Sequence, residues 1–162
     1  MTIREATSAA DVELVRELVF EYTRSLGADF DSFNFAYEMV NFPGEYIPPS
    51  GCLLLAVEDG QAAGCAALRD LRGCVCEMKR MYVRPAFRGR DLGRALAVTL
   101  IERARAAGYE SMRLDTLPKM TEALALYRSL GFAVIEPYRP APFEDSLFME
   151  LDLRARPAKP VG

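Results

Sequence analysis

Hydrophobic and polar positions along this chain follow two periods, one of strands and one of helices. Residues 3–6 read as a short strand. Ser8 then caps a helix, because Ser8-Ala9-Ala10-Asp11 precedes Val12, Val15, Leu18 and Val19 on one face, and Gly27 ends it. A second, aromatic-rich helix or lid covers 31–41 and breaks at Pro43-Gly44, and Pro48-Pro49-Ser50-Gly51 marks a further loop. Cys52–Glu58 and 61–68 are apolar runs of strand length. Asp59-Gly60 joins them, a pair that suits a type I′ hairpin because both central residues need positive φ. Arg72-Gly73 turns into a strand over 74–83. A helix over 92–107 sets Leu92, Leu96 and Leu100 at i, i+4 and i+8 and stops at Gly108. Ser111–Thr116 is a strand, 119–130 a helix stopped by Gly131, and strands follow near 132–135 and 144–152. Pro137, Pro140 and Pro142 stiffen the loop between those last two.

The order βααβββαβαββ predicts an α/β (α+β) fold, a mixed sheet flanked by helices with no internal repeat and no second core. A single domain over 1–153 is expected, followed by a basic, Pro-bearing tail over 154–162 that is expected to be disordered. At 162 residues such a domain buries roughly two-thirds of its unfolded surface.

Composition narrows the chemistry. The chain is 51% hydrophobic and 27% charged, ordinary for a globular protein. No apolar run approaches the ~18 residues of a membrane span and no signal-peptide pattern opens the chain, so a cytoplasmic protein without a membrane partner is expected. There is no histidine, which removes Ser-His-Asp and Cys-His catalysis and any Cys/His zinc site. Cys52, Cys65, Cys74 and Cys76 are expected to be buried, reduced thiols rather than metal ligands, with Cys74 and Cys76 on one face of a strand. Catalysis would have to rest on carboxylates, Tyr, Lys, Cys or the ligand.

Charge is unevenly spread. Residues 79–94 carry Lys79, Arg80, Arg84, Arg88, Arg90 and Arg94 against Asp91 alone, a local +5 within a chain of net −3. Between Arg24 and Arg69 there is no Lys or Arg, but there are Asp29, Asp31, Glu38, Glu45, Glu58 and Asp59. Such a division suits an anionic cofactor combined with a cationic amine, and it suits nucleic acid poorly, because the acidic remainder would repel the backbone. The stretch 30–46 adds Phe30, Phe33, Phe35, Tyr37, Phe42 and Tyr46, either a wall of π faces for a cation or plain core packing.

The basic segment itself, RMYVRPAFRGRDLGR over 80–94, is an apolar strand running into a tight turn where a helix begins. At a helix N-terminus the first N–H groups lack intrahelical partners and the dipole is positive, so the turn can hold an anion such as a pyrophosphate. The P-loop pattern is absent, and the glycine spacing and late position exclude the Rossmann fingerprint.

The segment resembles the acyl-CoA-binding motif of the GCN5-related N-acetyltransferases (GNAT), [QR]-x-x-G-x-[GA] after a central strand. Arg88 and Gly93 match its first and last positions, and Asp91 stands where the family usually has its middle glycine. ALALYRSLGF, residues 123–132, resembles the family's later A-x-x-L-Y-x-x-x-G-F motif, and LDTLPKM (114–120) resembles one branch, with Met120 where an Asn is common. The resemblance runs over about 3–152, and 77–132 is its specific part.

It implies a mostly antiparallel GNAT-like acyl-CoA N-acyltransferase fold, in which two adjacent central strands splay and hold the thioester between them. It implies acetyl-CoA as co-substrate and no metal. Backbone groups of Met81, Tyr82 and Val83 would lie beside the pantetheine arm, and Arg88, Gly89, Arg90, Asp91, Leu92, Gly93 and Arg94 would form the phosphate cradle. Tyr127 would give a proton to the leaving thiolate, although Met120, Ala123, Leu124 and Tyr127 also fit a plain core face. Glu77, or else Asp115 or water, would take the amine's proton.

The expected activity is N-acetylation of a primary amine on a small molecule or peptide, by a monomer or a homodimer. A non-catalytic acyl-CoA sensor is the alternative. The charge division further predicts an acceptor that is cationic before reaction.

Overall fold

The computed structural model describes residues 1–27 and 32–154, and of residues 32–34 the backbone alone. Strand β1 (Thr2–Glu5) leads into helix α1 (Ala9–Ser25). Ser8 caps that helix by accepting the Asp11 N–H at 3.1 Å, a contact worth about 1 kcal/mol. Helix α2 (Ser32–Asn41) follows, then β2 (Cys52–Glu58) and β3 (Gln61–Arg72), joined through Asp59 and Gly60 at φ 53° and 74°, as a type I′ turn requires. The remaining elements are β4 (Val75–Val83), a 3₁₀ turn (Pro85–Phe87), α3 (Leu92–Ala106), β5 (Ser111–Thr116), α4 (Thr121–Ser129), β6 (Ala133–Ile135) and β7 (Leu147–Asp152).

These strands form one sheet in the order β1-β2-β3-β4-β5-β7-β6, antiparallel throughout except for the parallel β4–β5 pair. Both faces are covered, which is why β2 and the first part of β3 are continuous apolar runs rather than alternating ones. On one face Leu54, Ala66, Met78, Met112 and Leu114 meet Leu92, Leu96 and Leu100 of α3 and Tyr127 of α4. On the other, Leu53, Leu55, Cys65, Ala67 and Tyr82 meet Val15, Leu18 and Val19 of α1 and Met39 of α2.

Two irregularities at the sheet centre shape everything that follows. The β3–β4 register slips between Cys65 and Ala67, so that Arg80 and Met81 oppose a single β3 residue, and Arg80 takes a left-handed backbone at φ 57°. Beside it, β4 and β5 pair only through Val75–Ser111, Cys76–Met112 and Glu77–Arg113. Beyond that point β4 continues to Val83 and β5 to Thr116 with no further pairing, and a wedge opens between them.

Three local expectations need correction. Strand β3 runs on to Arg72 rather than stopping at Leu68, because its polar end Arg69-Asp70-Leu71-Arg72 still ladders with β4 outside the core. Cys74 lies in the turn, not on the strand: Arg72, Gly73 and Cys74 all have positive φ (72°, 64° and 64°). Cys74 is therefore exposed, while Cys52, Cys65 and Cys76 are buried free thiols, each pushed up to about 12 chiefly by burial. Among the described residues no helix is long and apolar enough to cross a membrane. The tail from 155 onward lies outside the described residues.

Candidate active site

A cavity of about 120 Å³ occupies the wedge. Its walls are Met78, Lys79, Arg80 and Met81 of β4 and Leu114, Asp115 and Thr116 of β5. Tyr22 of α1 and Ala123 and Tyr127 of α4 close the sides. Tyr127 belongs to the core and also borders the cavity. Its ring is buried and packs edge-on against Phe132 at 5.8 Å, yet it also lines the cavity, and its Oη has no hydrogen-bond partner among the described residues. Burial pushes its pKa well above the usual phenol range, and the nearby Tyr22 and Asp115 add to this, so the hydroxyl is protonated throughout neutral pH.

Glu77 sits at the apex, where the two strands part, and it is completely buried. Arg69 Nε donates to its Oε1 at 2.8 Å, while Tyr138 Oη (2.5 Å) and Arg139 Nε (3.1 Å) donate to its Oε2. Burial alone would raise this carboxyl. Lys79, Arg139 and Arg69, with the Tyr138 hydrogen bond, outweigh it and hold Glu77 below the usual glutamate range. A carboxylate so fully engaged is a weak proton acceptor, and the geometry fits an anchor better than the base that the resemblance suggested.

Asp115 lies on the same side, bonded by Arg139, with 18% of its side chain exposed toward the cavity. Sequence reasoning missed Tyr138 and Arg139, which reach the apex from the loop between β6 and β7; the Tyr138 ring meets Phe148 edge-on at 5.1 Å, and the Arg139 guanidinium lies over the Phe148 ring at 5.3 Å. The prolines around them marked a stiff loop. The only further signal was a large polar pair held inside it.

Below the wedge, the Arg88 side chain donates to the Val83 carbonyl at 3.0 Å and secures the end of β4 to the turn. Gly89 and Asp91 take left-handed backbones (φ 80° and 58°), and α3 starts at Leu92 with no side-chain cap from Asp91. Its first N–H groups are therefore unclaimed by capping. A Cβ on Gly93 would meet only Leu126 and Val83 at 3.6 and 3.9 Å, and one on Gly89 would meet nothing within 4 Å, so the open backbone here serves no packing need of the protein itself. The turn fits a pyrophosphate on these grounds.

Asp91 is the one misfit. Glycine suits the left-handed backbone better, and the carboxylate repels a bound phosphate. Asp91→Gly should lower the KM for the acetyl-CoA that the resemblance implies by about 2–5-fold, the equivalent of about 0.3–1 kcal/mol for one charge near a helix N-terminus. Steady-state kinetics would show it, and an unchanged or higher KM would mean that the phosphates lie elsewhere.

The charge division dissolves on folding. Arg80 pairs with Glu38 at 2.6 Å and Arg84 with Glu21 at 2.6 Å. Arg90 faces Glu58 at 3.5 Å and Asp59 at 3.8 Å, and Arg69 reaches Glu45 at 3.2 Å. The four described acids of the Lys- and Arg-free stretch, Glu38, Glu45, Glu58 and Asp59, thus lie beside arginines, which weakens the charge argument for a cationic acceptor. Asp29, Phe30 and Asp31, and the side chain of Phe33, lie outside the described residues. Phe42 and Tyr46 are core, and Tyr37 is exposed. No group of three or more metal-binding side chains occurs among the described residues.

The acetyltransferase (GNAT) family profile matches residues 13–132. An uncharacterized N-acetyltransferase of Schizosaccharomyces pombe is 40% identical over 146 residues, which cover 88% of this chain and 89% of the relative. Among solved structures, a GNAT-family acetyltransferase from Staphylococcus aureus Mu50 superposes with a TM-score of 0.79 at 19% identity, covering 94% of this chain and 98% of its own. The Salmonella typhimurium protein yncA, solved with its cofactor acetyl-CoA, superposes with a TM-score of 0.69 at 26% identity, covering 100% and 99%.

Proposed function

The chain belongs to the GNAT family of acetyltransferases, and we propose that it moves the acetyl group of acetyl-CoA directly to a primary amine of a small molecule or peptide in the cytoplasm. One observation carries the reading: the β4–β5 wedge brings an unpartnered, protonated Tyr127 hydroxyl and the Asp115 carboxylate to one cavity, above a turn with open backbone donors.

Acetyl-CoA supplies an activated acyl thioester when bound. Backbone groups of Leu92, Gly93 and Arg94, with the charge of Arg88, would bind its phosphates, and the edge of Met81, Tyr82 and Val83 that β5 leaves unpaired would align the chain that leads into the wedge. Asp115 receives the amine's proton, directly or through a water, since Glu77 is occupied. Tyr127 Oη delivers a proton to the departing sulfur, whose basicity resembles that of a phenol with pKa near ~10. Positioning contributes most, because effective molarities in a well-aligned site are worth about 7–11 kcal/mol.

Saturating acetyl-CoA, at about 100-fold over Kd, should add roughly 2.7 kcal/mol of stability and raise Tm by about 5–11 °C. The same enzyme should release thiol in the presence of an amine acceptor. No shift at millimolar acetyl-CoA would refute the assignment of the co-substrate. A shift without turnover on any amine would favour an acyl-CoA sensor.

A further inference from the structure

The polar groups around the wedge nearly balance. Arg69, Lys79, Arg80 and Arg139 meet Glu38, Glu77 and Asp115, and the remaining acid in contact, Glu45, is on the surface with 68% of its side chain exposed. Each arginine has a carboxylate within ion-pair distance. Lys79 does not: its ammonium makes no hydrogen bond or ion pair among the described residues, although it lines the cavity beside Arg80 and Asp115. Lys79 is thus the one cation of these four with no carboxylate within ion-pair distance, and it lines the cavity where an acceptor would sit.

The side of the sheet matters. Met78 and Leu114 face α3 and α4, so strand alternation turns Lys79 and Asp115 toward the α1 and α2 face. The phosphate turn opens at the N-terminus of α3, on the other face. The charge on Lys79 is therefore remote from the anionic end of acetyl-CoA and free to act on the second substrate. The cavity is also compact, at about 120 Å³, which favours a small acceptor over a folded protein surface.

We propose that the acceptor is an amino-acid-like small molecule, with a carboxylate close to the amine that is acetylated, and that Lys79 Nζ is the counter-ion of that carboxylate. This rests on the wedge being the site of acetyl transfer. The substrate ammonium then lies toward Asp115, which takes its proton, while its carboxylate is held by Lys79 and the transferring nitrogen is placed between them. Burial, with help from Arg80, lowers Lys79 to about 8, so an arriving carboxylate stabilises a charge that the cavity otherwise disfavours. A role for Lys79 as a base makes a different prediction, since its loss would then slow every acceptor alike.

The test uses the purified full chain with saturating acetyl-CoA and matched pairs of acceptors: α-amino acids against the corresponding decarboxylated amines. Thiol release gives kcat and KM for each. The carboxylate-bearing member of a pair should have the higher kcat/KM by about tenfold or more. That ratio should collapse toward one in Lys79→Met, through KM, and survive in Lys79→Arg. A preference for the decarboxylated amine, or an equal fall in kcat for both members in Lys79→Met, would overturn the proposal. If no acceptor releases thiol, the transfer reading fails by itself, and equilibrium binding of the same pairs to the CoA complex decides the clamp. A carboxylate preference lost in Lys79→Met upholds it, and equal binding of both members overturns it.

Discussion

Replacing Tyr127 with Phe should lower kcat by about 10²–10⁴ while acetyl-CoA binding and the melting temperature stay close to wild type. The structure makes this an unusually clean deletion. The ring contributes to the core that holds α4 against the sheet, and Phe preserves its volume and its edge contact with Phe132. The hydroxyl has no partner among the described residues, so removing it leaves no buried donor or acceptor stranded. Only the proton is lost. Turnover within about threefold of wild type would assign Tyr127 to the core alone and leave the thiolate to be protonated by water.

Replacing Glu77 with Ala should be the most destabilising single change at the site, at about 3–5 kcal/mol, because the partly buried Arg69 and Arg139 would lose the fully buried carboxylate they share. For a chain of this length that corresponds to a fall in Tm of about 6–20 °C. The acid dependence follows from the same contacts. The folded pKa of Glu77 lies below its unfolded value, so its contribution is complete above the ordinary glutamate pKa of ~4.3 and is lost as pH falls through the lower, folded value. Glu77→Gln keeps the shape and removes that titration. Its melting temperature should vary less with pH below ~4.3 than that of wild type. A base role predicts the opposite split, a large loss of kcat in Glu77→Gln with little change in Tm.

Local order was legible wherever one residue dictates its own conformation. Ser8 caps α1, Asp59-Gly60 turns the hairpin, and the apolar stretches Cys52–Glu58 and Ser111–Thr116 became strands with those bounds. Nothing comparable announces the bulge at Arg80, since an arginine at positive φ carries no compositional mark and is set by how β3 and β4 register. The charge pattern misled for a related reason. Glu38 and Arg80 are 42 residues apart, and Glu58 faces Arg90, so segments of opposite sign that looked like separate functional surfaces are partners once the sheet forms. The clamp on Glu77 likewise depends on Tyr138 and Arg139, which are 61 and 62 residues away in a loop whose own sequence speaks only of stiffness.

The three-pair seam between β4 and β5 makes the sheet two leaves on a short spine. Strands β1 to β4 ladder continuously on one leaf and β5, β7 and β6 on the other, with α3 crossing between them. The ladders within either leaf do not set the angle between them; the short seam and the core shared by both leaves do. The spine ends at Glu77, whose bonds to Arg69 of one leaf and to Tyr138 and Arg139 of the other act as a rivet across it. A molecule lodged in the seam sets that angle from the open end. Grip on the ligand and alignment of Tyr127 with Asp115 are then one mechanical quantity, and looseness in the rivet would cost the enzyme both.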